Sequence, residues 1–169
     1  LVTNMAKMFY NCNSLIGLDL SSFNTEAVED MFQMIYNCQS LTSFILSSNF
    51  DTSKITTMEQ FFYNCKSLTS LDLNSFDTSL VTDMTQMFYN CKDLSSIISN
   101  FDTSNVGNMF QMFSNCESLT SLDVSTFNTQ NVLNMQEMFK NCLSLEAIGL
   151  SNFDTSKVTT MESMFEGES

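Results

Sequence analysis

Six cysteines are the most reactive side chains in this 169-residue sequence: Cys12, Cys38, Cys65, Cys91, Cys116 and Cys142. A thiol supplies a nucleophile, a metal ligand or half a disulfide, and the first two uses need partners. The chain has no His, and its six basic residues are all Lys. Cys-His and Ser-His-Asp chemistry is therefore excluded, as is imidazole ligation. No C-x-x-C pair is present to complete a zinc site. A second recurring group is carboxylate: Asp51, Asp77, Asp102 and Asp154. Stacked carboxylates repel, and a hard cation such as Ca²⁺ would bridge them. The plainer reading is an Asx-turn or helix cap, because Asn24 and Asn128 hold equivalent positions and supply the same acceptor oxygen. A net charge of −13 keeps the Ca²⁺ ladder worth testing. No cofactor is required by any of these groups.

These spacings come from a repeat. The run V-T-x-M-x-x-M-F recurs degenerately from Val2, Val28, Ile55, Val81, Val106 and Val132, with a partial copy from Val158. The intervals are 26, 27, 26, 25, 26 and 26 residues. No stretch is left over for a second domain, so 1–169 is one array. A period of this length marks a solenoid, in which each unit buries its apolar face against its neighbours. The long repeat places an extra residue near Ser47–Asn49, and the short one loses a residue near Ile98–Asn100.

One unit shows what must position the columns. Ile55, Met58, Phe61 and Phe62 fall at i, i+3, i+6 and i+7, the spacing of one helical face. Asp51, Thr52 and Ser53 precede them and supply capping oxygens. Asn64 follows where a left-handed C-cap sits, matched by Asn11, Asn37, Asn90, Asn115, Asn141 and finally Gly167. Leu71, Asp72 and Leu73 then alternate, which predicts a short strand over Ser70 to Leu73. The expected fold is α/β, with short parallel strands on one face and short helices on the other.

The run F-D-T-S-x-V-T-x-M-x-x-M-F-x-x-C-x-S-L-T-S-L-D-L resembles the bacterial surface protein 26-residue repeat, close to the BspA-like leucine-rich repeats. The resemblance covers essentially the whole chain. It implies a right-handed leucine-rich-repeat solenoid on an extracellular or cell surface, used for adhesion or protein binding. It implies no catalytic site.

Several columns carry candidate function. One thiol per repeat, with side chains pointing in parallel, favours a buried thiol ladder over disulfides. Tyr10, Tyr36, Tyr63 and Tyr89 share one column, a stripe suited to partner contact or simply a product of repeat duplication. Asp19, Asp72 and Asp123 point outward from the strands, with Ile45 and Gly149 in the same column, on the face leucine-rich repeats commonly present to partners. The Thr column (Thr25, Thr52, Thr78, Thr103, Thr129, Thr155) reads as caps and a hydroxyl ladder, with an ice-binding face as the alternative.

Without clustered cations, nucleic-acid binding is not expected, and no 18-residue apolar run predicts membrane insertion. The expected activity is non-enzymatic. The partner is a protein or cell-surface ligand, or other copies of the chain stacked end to end as a fibre. The array opens and closes inside a repeat, which suits a segment of a longer array as well as a stacking unit. Glu168 replaces the column Cys in the last copy and would place a carboxylate in that column.

Overall fold

The computed structural model describes residues 1–47 and 49–167. Glu168 therefore lies outside the described residues. Four short strands form on one side: β1 (Gly17–Asp19), β2 (Ser43–Ile45), β3 (Ser70–Asp72) and β4 (Ser96–Ile98). β1 pairs in parallel with β2, and β3 with β4. The pairing registers are Leu18 with Phe44 and Leu71 with Ile97, so equivalent residues of successive repeats face each other. Repeats five and six keep one bridge, Ser121 with Ala147. The expected sheet is thus present in two pieces. Each break follows a repeat of irregular length, and the strand residues on both sides of it keep the same alternation of inward and outward side chains.

The expected helices are absent among the described residues. The segment read as helical is a string of tight turns. In the third repeat, the amides of Phe61, Tyr63 and Cys65 donate back three residues to the carbonyls of Met58, Gln60 and Phe62, at 3.3, 3.2 and 3.2 Å. The alternate amides, Met58, Gln60, Phe62 and Asn64, donate forward to Asp83, Thr85, Met87 and Tyr89, at 2.9, 2.9, 2.9 and 2.7 Å. Half of this backbone is therefore bonded within the repeat and half to the next one.

Two residues per repeat take a left-handed conformation to make this path. The Asn column does so as expected, with φ 56–61° from Asn11 to Asn141. A second column does so as well: Lys7, Gln33, Gln60, Gln86, Gln111, Glu137 and Ser163, with φ 52–60°. Each occupies the third position of its turn, where a type II turn requires positive φ. Gly167, in register with the Asn column, does not have positive φ.

Lateral room explains the choice. Tyr rings of successive repeats stand 4.6–4.9 Å apart on the turn side. That matches the spacing of strands in a sheet, whereas an α-helix with side chains needs about 10 Å. A helix per repeat cannot stack at this pitch.

The interior is one continuous cluster of Val, Ile, Met, Phe, Cys and Leu columns. Phe62, Phe88, Phe113, Phe139 and Phe165 stack with centroids 5.3–5.6 Å apart. Methionine fills the gaps beside them, its flexible chain adapting to neighbours that repeat only approximately.

The turn string makes a prediction opposite to that of a helix. At Gln86 (φ 54°), alanine must enter the left-handed region at a cost of about 1–2 kcal/mol, and glycine enters freely. Urea unfolding should rank Gln86→Gly above Gln86→Ala by roughly 1 kcal/mol. The reverse order is the helical result.

Candidate functional site

The described side chains form ladders, because each repeat places the same residue one sheet spacing from its copy. The four tyrosines stack at 4.7, 4.6 and 4.9 Å, with interplanar angles of 9, 5 and 12°. Tyr10 is exposed and the others are half-buried, and the row ends at Ser114, which is buried. Lys7 Nζ lies 5.6 Å from the Tyr10 ring and 5.7 Å from Phe32, in cation–π range. Stacking uses up the ring faces, so the row presents edges and hydroxyls. Burial raises the Tyr36 and Tyr63 phenols above their ordinary value; Tyr10 adds to the rise at Tyr36 while the hydrogen bond with Tyr63 opposes it, and Tyr36 and Tyr89 add to the rise at Tyr63.

Amide ladders flank the tyrosines. Asn37 donates to Asn11 at 2.8 Å, Asn64 to Asn37, Asn90 to Asn64 at 2.6 Å and Asn141 to Asn115 at 2.8 Å. The Gln column runs in the opposite sense, each amide donating to the next repeat: Gln33 to Gln60, Gln60 to Gln86, Gln86 to Gln111, and Gln111 to Glu137 at 2.6 Å. A primary amide carries both donor and acceptor, so it can bond to its own copy indefinitely. The sequence reading missed the Gln ladder. Its one signal was a Gln, Lys or Glu at a fixed place in the first six turn segments, with Ser163 in the last.

Thr25, Thr52, Thr78, Thr103 and Thr129 are buried, so they form no flat exposed face. Thr25 Oγ1 donates to the Asp51 carbonyl at 2.9 Å and accepts from the Asp51 amide at 2.6 Å. Thr129 clasps Asp154 in the same way, at 3.0 and 2.7 Å. The hydroxyl ladder is therefore a backbone clasp between repeats rather than a helix cap.

Asp51, Asp77, Asp102 and Asp154 form Asx-turns. Each Oδ1 accepts the amide of the serine two residues on, at 2.8–2.9 Å. These donors lower the Asp77 and Asp154 carboxyls; at Asp77 the Ser79 hydroxyl acts first, at Asp154 the Ser156 amide. Among the described residues, no three Asp, Glu, Cys or His side chains converge as a metal-binding group.

On the strand face, Asp19, Asp72 and Asp123 are exposed, and each accepts the amide two residues ahead. Ile45 is 49% exposed in the same column. This face and the Tyr row lie on different sides of the repeat, and the structure does not bring them together into one site.

All six cysteines are free, and Cys38, Cys65, Cys91 and Cys116 are buried. Each of the last five thiols donates to a carbonyl of the preceding repeat, from Cys38 on Phe9 at 3.1 Å to Cys142 on Phe113 at 3.2 Å. Burial pushes Cys38 up to about 11 and Cys142 to about 12, and Cys65, Cys91 and Cys116 well above the ordinary value. A thiol held this way is a poor nucleophile.

The family described as "Mycoplasma protein of unknown function, DUF285" matches residues 1–71 and 64–169. The chain belongs to that family. No curated protein matches it. Among solved structures, this DUF285 chain is similar to the leucine-rich repeat protein of T. pallidum, with 19% identity and a TM-score of 0.52. That match covers 85% of this chain and 72% of the other. A leucine-rich repeat protein from Bacteroides ovatus ATCC 8483 matches over 94% of this chain, at 15% identity and a TM-score of 0.44, and the chain spans 45% of its length. The likeness to the T. pallidum protein shows a leucine-rich-repeat-like fold.

The thiol ladder sets an alkaline limit. An unfolded thiol ionises near its ordinary value of 9.0, while folded Cys38 keeps its proton to about 11 and Cys142 to about 12, and Cys65, Cys91 and Cys116 are also held well above 9.0. Between those values the folded state holds more protons, so stability is full below about pH 9 and falls as pH rises. The melting temperature should therefore decline above about pH 9, and Cys91→Ala should make the decline shallower. An unchanged slope would remove the thiols from the account.

Proposed function

We propose that this chain is a non-enzymatic interaction module of the BspA-like kind, displayed on a cell surface and used for adhesion or protein–protein contact. The Tyr ladder is the observation that carries the reading. Four aromatic side chains are held in place by their own stacking, so a partner that docks on them costs little rotamer entropy. The outward Asp19, Asp72 and Asp123 give the strand face a polar, acidic second surface. Buried thiols with raised pKa and carboxylates committed to turns favour a binding role over catalysis.

A second reading, a subunit that stacks end to end, is favoured by apolar side chains at the first and last repeats. Met8 is 47% exposed, Met161 47% and Phe165 51%, where their internal copies are buried. A further repeat would cover them, whether from the same polypeptide or another copy.

Beads coated with the chain should adhere to cultured cell monolayers several-fold better than albumin-coated beads. The double variant Tyr36→Ser, Tyr63→Ser should lose most of that advantage while remaining folded. Adhesion no better than albumin, or unaffected by the double variant, would count against the Tyr row. Sedimentation of the free chain separates the second reading, which predicts polymers whose mass grows with concentration.

A further inference from the structure

The joint between the second and third repeats differs from every other. At the third-to-fourth joint, four alternate amides (Met58, Gln60, Phe62, Asn64) donate across, and β3 pairs with β4. At the second-to-third joint, only two of the four equivalents do so: Ile35 to Phe61 at 3.1 Å and Asn37 to Tyr63 at 2.7 Å. Among the described residues, β2 pairs with β1 alone. Its far edge, and the facing edge of β3, carry backbone donors and acceptors with no ladder partner. The fourth-to-fifth joint is an internal control. It also loses its strand pairing, yet Met84, Gln86, Phe88 and Asn90 all donate across it. The sheet break there follows a repeat one residue short, whereas the break here follows a repeat one residue long and coincides with the loss of turn-side bonds.

The gap has a shape and a charge. A hollow of about 390 Å³ lies between Phe44, Ile45, Leu46, Asp72, Asn74 and Ser75. A second hollow, of about 550 Å³, meets it at Ser75 and adds the carboxylates of Glu26 and Asp51. Phe44 is only half-buried, although its equivalents Leu18, Leu71, Ile97 and Leu122 are buried. Three carboxylates line the two hollows together, and none of their lining residues is a Lys. The joint remains tied by the Thr52 hydroxyl, which donates to the Asp77 carbonyl at 2.9 Å, and by the two surviving amide bonds, so the opening is part of the folded array.

We propose that this joint is a slot for an extended cationic peptide, which adds as a strand to the free edge of β2. The main chain of the peptide bonds the unpaired edge, its apolar side chains on the inner face meet Phe44, and its Lys or Arg side chains on the outer face, beside Ile45, meet Asp72, Asp51 and Glu26. This deepens the interaction-module reading and rests on it.

The test uses the whole chain and a capped, fluorescently labelled pentapeptide alternating lysine and valine, with a glutamate–valine peptide as control. Anisotropy should show binding of the lysine peptide alone, weakening as salt rises. Hydrogen exchange at Ser43–Ile45 should slow in the complex. Deleting Asn49, which restores the 26-residue spacing, should lower affinity at least tenfold. Should the deletion unfold the chain, Asp72→Asn serves instead, with a several-fold loss. Equal binding of both peptides, or full affinity in either folded variant, overturns the proposal. Protection of Ser43–Ile45 that appears with chain concentration and no peptide assigns the slot to a second copy and also overturns it. If the lysine peptide fails while bead adhesion persists, the slot falls and the interaction module stands. If both fail, both readings fall.

Discussion

Backbone hydrogen bonds between successive repeats, at the spacing of a β-sheet on both sides of the array, are what the rest of this structure depends on. On the strand side they run from Leu20 to Ile45 and from Leu73 to Ile98. On the turn side they run from every second amide of the turn string. A pitch this short leaves each side chain in contact with its own copy. Only residues that tolerate themselves can fill an inner column: amides that donate and accept, rings that stack, hydroxyls that clasp a backbone unit, thiols that cap a carbonyl. The bridge column on the turn side shows the same rule from the other direction. Asp30, Thr57, Asp83, Asn108, Asn134 and Thr160 alternate so that no two carboxylates are adjacent. The three consecutive aspartates of the Asx column sit at the surface end of the repeat, with backbone amides as donors.

The joints after the two irregular repeats differ in these bonds. After the short repeat the strand pairing ends and the turn string is intact. After the long repeat the strand pairing ends and half of the turn-side bonds are lost as well. The array is consequently regular in composition and uneven in cohesion. Its least cohesive joint is lined by acidic and apolar groups rather than closed over.

Much of this was legible in the sequence. The period, the array of Cys, Asn and Tyr columns, the left-handed Asn, the strand at Leu71 and the two irregular repeats all follow from residue types and spacing. The helix was misread for a physical reason. Ile55, Met58, Phe61 and Phe62 mark the buried side of a turn string as well as they mark a helical face. Gln60, which breaks any helix by its positive φ, is a good helix former and gives no warning. What excludes the helix is the room between repeats, a property of the stack and not of one unit. The Thr column was half legible: a hydrogen-bonding role was expected at Thr25, but the partner is Asp51 in the next repeat rather than the local chain. Of the candidate surfaces, the Tyr row emerged as a single stacked feature. The slot was visible only as one surplus residue.

The most direct test of the account reads the hydrogen bonds of the turn string themselves. NMR couplings across hydrogen bonds, in the deuterated chain, connect each amide to the carbonyl that accepts it. The structure predicts couplings from Gln60 to Thr85, from Phe62 to Met87 and from Asn64 to Tyr89, each one repeat away. Couplings from these amides to carbonyls four residues earlier, such as Phe62 to Met58, would restore the helix and contradict the account.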